Sequence, residues 1–121
     1  MKLKKLSPDF TICKVSSIDQ VDLTREYVFL SRTPDEISLV CETGQTPPDV
    51  LESESGWKAF MVSGVLDFSL VGIIARISNI LAEAEISLFV VSTYNTDYVL
   101  LKADDFDRGL KLLAEKGYQI S

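Results

Sequence analysis

Residues 64–77 read Gly64-Val65-Leu66-Asp67-Phe68-Ser69-Leu70-Val71-Gly72-Ile73-Ile74-Ala75-Arg76-Ile77. Phe60, Met61 and Val62 bring apolar strand material into this stretch, and Leu70, Ile73, Ile74, Ile77 and Leu81 carry helical spacing out of it. The stretch therefore reads as the end of a strand, a loop and the start of a helix. A helix start presents unpaired backbone N–H groups and the positive end of the helix dipole, which suits a small carboxylate. Glycine at 72 lets a ligand or a neighbouring chain come close to the backbone.

Working outward, residues 57–63 are apolar and β-capable, and residues 70–84 form an amphipathic helix. Residues 86–94 are a near-continuous run of strand formers, broken by the turn chemistry of Asn95-Thr96-Asp97. Residues 98–103 supply a second strand, so the pair reads as a hairpin. Asp104 or Asp105 is placed to cap a following helix whose apolar positions are Phe106, Leu110 and Leu113. Gly117 stops that helix, and Tyr118-Gln119-Ile120 makes a short last strand. The order is βαββαβ, the ferredoxin-like plan of an α+β domain.

Two segments carry a resemblance. Gly64–Gly72 resembles the ligand loop of the ACT domain, a small module of regulators of amino-acid metabolism, with Ser69-Leu70-Val71-Gly72 in place of the more usual Asp-x-Pro-Gly. Ile86-Ser87-Leu88-Phe89-Val90-Val91-Ser92-Thr93-Tyr94-Asn95-Thr96-Asp97-Tyr98 resembles the strand and turn of ACT proteins that sense amino acids in tandem pairs. The arginine sensor of animal cells that controls TOR signalling is one of these. The resemblance implies a complete ACT domain at residues 57–121 and a shortened, degenerate ACT-like unit at residues 1–56. It also implies a free amino acid bound, without turnover, at an interface between ACT units. Asp97 matches an acid that tandem sensors use in ligand binding. Ser69 caps the helix or, with the N–H groups of Leu70, Val71 and Gly72, holds a ligand carboxylate, and the two roles are compatible. Thr93 and Asn95 are further candidates. ACT sheets commonly pair edge to edge, and the apolar strand at residues 86–91 exceeds what a half-exposed strand needs, so a homodimer is expected. The rival reading is a ligand-free oligomerisation or protein-interaction module.

The first half is less regular. Residues 10–15, 27–31 and 37–41 read as strands, residues 16–24 as a short helix, and the polar residues 44–56 as a loop or frayed helix. A domain of this size acts by contacting another chain, whose identity the residues do not name, or by self-association.

Composition narrows the function classes. The net charge of −6 argues against nucleic acid, whose phosphates demand a basic face. No apolar run reaches the ~18 residues of a membrane span, and no signal-peptide core follows Met1-Lys2-Leu3-Lys4-Lys5, so a cytoplasmic protein is expected. The chain has 0 histidines, which removes Ser-His and Cys-His nucleophile pairs. With two cysteines, Cys13 and Cys41, no Cys-x-x-Cys and no histidine, a zinc site or a copper-chaperone role lacks its ligands. Those cysteines read as small hydrophobes on strands. Arg76 reads as solvent-facing, a turn into the helix. No enzyme, cofactor or metal is expected.

Overall fold

The computed structural model describes residues 1–63 and 71–121. In chain order the elements are β1 (Lys2–Val15), β2 (Phe29–Arg32), β3 (Ile37–Glu42), β4 (Glu52–Val62), α1 (Ile73–Glu83), β5 (Leu88–Ser92), β6 (Asp97–Lys102), α2 (Ala103–Glu115) and β7 (Gln119–Ile120). From β4 onward this is the βαββαβ order of an α+β, ferredoxin-like fold. The chain divides into two compact units, one made of Met1–Ser7 with Lys58–Ser121 and the other of Pro8–Trp57. Strands β1 and β4 each contribute residues to both.

In the first unit the strands run in the order β7-β1-β4-β6-β5. Strands β5 and β6 are antiparallel, with Leu88 opposite Leu101 and Ser92 opposite Asp97. Strand β7 pairs in parallel with β1, Lys2 facing Gln119 and Leu3 facing Ile120. The strand expected at residues 10–15 thus extends back to Lys2, and its first residues take the place beside β4 that a plain βαββαβ sheet gives to its last strand. The helices are amphipathic as their spacing requires. Ile73, Ile77 and Leu81 of α1 and Phe106, Leu110 and Leu113 of α2 bury one stripe each. They meet Leu3, Phe60, Val62, Ile86, Val99 and Leu101 in a single apolar cluster. Phe60 and Phe106 lie with ring centroids 6.5 Å apart.

Two details of the helices differ from expectation. The described part of α1 begins at Ile73, with Gly72 as its N-cap; Leu70 lies outside the described residues. Helix α2 begins at Ala103, with Lys102 at the cap position and no side-chain cap, so Asp104 and Asp105 fall in the first turn. There they act through the helix dipole instead of a capping hydrogen bond.

In the second unit β3 pairs antiparallel with both β1 and β2. The expected short helix is one 3-10 turn at Ile18–Gln20, closed by a capping box between Ser17 and Gln20. Residues 52–56, expected in a loop, open β4 as an exposed strand. Cys13, Val15, Leu39 and Cys41 form this unit's buried cluster. The unit has strands and short 3-10 turns but no α-helix.

Candidate functional site

Hydrogen bonds in the first unit gather several segments at the C-terminal end of β4. The Thr96 hydroxyl donates to the Val62 carbonyl at 2.6 Å, which pins the tip of the β5–β6 hairpin there. The Ser63 N–H donates to Lys2 O at 2.9 Å, bringing the start of β1 to the same place. The Gln119 N–H donates to Met1 O at 3.0 Å, which adds the start of β7 and, just before it, the end of α2. Val71 and Gly72 lead directly into α1.

The expected site residues distribute as follows. Ser69 and Leu70 lie outside the described residues. Val71 is 80% exposed. Gly72 has φ 76° and ψ 11°, the left-handed region where glycine is unstrained, and a Cβ there would stand 3.2 Å from Arg76 Nη1. Thr93 is committed to the turn: its hydroxyl donates to Thr96 O at 3.0 Å, beside a Thr93 N–H to Thr96 O bond of 2.9 Å. Asn95 is exposed at the tip. The turn therefore spans residues 93–96, and Asp97 is the first residue of β6. Half-buried Asp97 accepts from the Ser92 hydroxyl through Oδ1 at 2.5 Å, across the ladder and not within an Asx turn. Among the described residues Oδ2 has no hydrogen-bond partner.

Two residues with a part at this end were not among the site candidates read from the sequence. Thr96 is 4% exposed, and its hydroxyl holds the hairpin to β4; no pattern marks it. Arg76, expected to face solvent, is exposed but turns back to the helix start, its Nη1 3.5 Å from Val71 O. The signal existed: helical side chains lean toward the N-terminus, so a long side chain at position 76 covers the turn before it.

In the second unit Cys13 and Cys41 are free, buried thiols, hydrogen-bonded to each other. Burial, reinforced by Cys41, pushes the Cys13 pKa up to about 11. Burial also raises that of Cys41, against the hydrogen bonds from Thr46 and Cys13. Both are poor nucleophiles at neutral pH. Among the described residues no group of three or more Cys, Asp or Glu converges to hold a metal, and no helix is long and apolar enough to cross a membrane.

A family model described as the ACT domain matches residues 52–115, from the first residue of β4 to the last of α2 and over half of the 121-residue chain. The chain belongs to the ACT domain family. A crystal structure of an Agobacterium tumefaciens protein is similar to this ACT protein with a TM-score of 0.86 at 31% identity, covering 99% of this chain and 91% of that one. A Vibrio cholerae protein of unknown function, described as a possible transport protein, is similar with a TM-score of 0.76 at 23% identity, covering 92% and 85%. The regulatory subunit of aspartate kinase from Thermus thermophilus, in its ligand-free form, is similar with a TM-score of 0.64 at 9% identity, covering 93% and 95%. The last two likenesses are of fold alone. No curated protein matches in sequence. ACT domains serve regulatory, ligand-binding roles in general.

Proposed function

We propose that this ACT protein binds a free amino acid, without turning it over, at an interface completed by a second copy of the chain. The ligand carboxylate is held by the N–H groups and the Ser69 hydroxyl at the loop Ser69-Leu70-Val71-Gly72, where the dipole of α1 is positive. Its ammonium or side-chain cation is received by Asp97, with Thr93 and Asn95 alongside. The observation that carries this reading is Asp97, a half-buried carboxylate with Oδ2 unspent among the described residues, at the end of the unit where Thr96 holds the hairpin tip to Val62 and where Arg76 of the first turn of α1 shares a pocket with Met1. An ion pair there is stronger than a neutral hydrogen bond. The second copy is supported by Val71 and Tyr94, each 80% exposed at this end. It is also supported by β5, an edge strand whose Leu88, Phe89, Val90 and Val91 are only half-buried.

The test is a set of thermal melts of the whole chain with each of the twenty amino acids at millimolar concentration. A ligand present at ~100 times its Kd stabilises by about 2.7 kcal/mol. One amino acid, or a small chemically related set, raises the melting temperature, and light scattering of the same samples gives twice 13.5 kDa. A flat response across all twenty contradicts amino-acid binding, and a mass of 13.5 kDa contradicts the second copy.

A further inference from the structure

A pocket of about 270 Å³ in the first unit is lined by Met1, Arg76, Lys116, Gly117 and Tyr118. Among the described residues no acid lines it, although the chain carries 18 Asp and Glu against 12 Lys and Arg. Its volume lies just under the ~300 Å³ lower end for small-molecule sites. The backbone donors at its rim are already used. The Lys116 N–H donates to Leu112 O and Leu113 O at 3.2 and 3.0 Å, the Gly117 N–H to Ala114 O at 3.0 Å, and the Tyr118 N–H to Leu113 O at 3.1 Å. The side-chain donors among its described lining residues are a guanidinium, an ammonium and a phenol. Among the described residues neither Arg76 nor Lys116 pairs with a carboxylate, while Arg25 and Arg108 do. Two cations on one pocket repel each other unless an anion lies between them.

We propose that this pocket binds the phosphate group of a small ligand, either free phosphate or a phosphate monoester. Arg76 offers a planar fork suited to two phosphate oxygens, and Lys116 adds a point charge. Tyr118, whose ring packs on the unit's core, contributes a hydroxyl donor. A dianion answers both charges, whereas a single carboxylate answers one. The proposal stands on the pocket; it adjoins the amino-acid reading at the α1 start, where Arg76 Nη1 lies 3.5 Å from Val71 O, and differs from it in making no use of Asp97.

The whole chain is titrated by calorimetry with inorganic phosphate and with glycerol phosphate, at fixed ionic strength, alongside acetate. Saturable binding of either phosphate is expected, weakened about tenfold or more by Arg76→Gln and by Lys116→Gln. It is unchanged by Lys111→Gln, an exposed charge on the same helix outside the pocket. It is also unchanged by Asp97→Ala, which separates this site from the amino-acid site. The tighter of the two phosphates names the source. Absence of saturable binding, equal weakening by Lys111→Gln, or acetate binding as tightly as phosphate overturns the proposal. Circular dichroism confirms that each variant is folded, and because the two pocket variants alter exposed side chains, either one suffices to decide.

Discussion

Asp97 holds Ser92 in the structure and a ligand cation in the proposed function, and the two roles separate by substitution. Its Oδ1 holds the Ser92 hydroxyl at 2.5 Å across the β5–β6 ladder. Ser92→Ala and Asp97→Ala both break that bond, so each costs about 1 kcal/mol of stability. Only Asp97→Ala also strands the ligand's cation, which costs about 2–5 kcal/mol of affinity. Equal affinity in the two variants, measured with the amino acid found by the melts, returns Asp97 to a structural role. Cys13 behaves differently. In the unfolded chain its thiol titrates near 9.0, and in the folded chain near 11, because burial disfavours the thiolate. The folded state therefore holds the proton more tightly. The stability from this is full below about pH 9 and is lost as pH rises toward about 11, at no more than ~1.4 kcal/mol per pH unit. Urea melts of the parent across that range fall more steeply than those of Cys13→Ala. Parallel slopes contradict the account of the buried thiol.

At the level of elements, helix α2 seats against β6 and α1 through a gap at Gly109. A Cβ there would lie 2.8 Å from Leu101 Cδ1 and 3.3 Å from Leu81 Cδ2. Helix propensity alone favours alanine by ~1 kcal/mol. Overpacking a filled core costs ~1–3 kcal/mol, so Gly109→Ala is expected to lose about 1 kcal/mol net in a urea melt. A gain shows that the leucines yield freely. Both helices and the hairpin were legible in the sequence because their apolar positions recur at the period of the element, as in Ile73, Ile77 and Leu81. Residues 52–56 were not, since Glu52-Ser53-Glu54-Ser55-Gly56 are exposed strand residues with no apolar face to mark them. The cap of α2 was misplaced because acids suit both a cap and a first turn. Asp97 was legible only through the unusual string Ser-Thr-Tyr-Asn-Thr-Asp-Tyr. Its actual bond, to Ser92, depends on the register Ser92 opposite Asp97, which no local pattern states.

On the scale of the molecule, the first residues belong with the last. Leu3 is fully buried in the cluster built by β4, β6, α1 and α2. Its backbone carbonyl accepts from the Ser121 N–H at 2.9 Å. This pairing joins residues more than a hundred positions apart, one strand being the two residues Gln119–Ile120, so hydropathy along the chain could not reveal it. Leu3→Ala is expected to cost about 2–5 kcal/mol, as for a leucine in the middle of a core. A chemical denaturation midpoint within error of the parent's contradicts that placement. The same arrangement brings the starts of β1 and β7, the hairpin tip and Ser63, from which the chain runs on to α1, to one end of the first unit, and it is there that the ACT protein is argued to hold its ligand. Calorimetric titration of the purified chain with each of the twenty amino acids tests that claim most directly. The account predicts saturable heat for at least one of them, lost in Asp97→Ala while the variant stays folded. No heat from any of the twenty at millimolar concentration contradicts it.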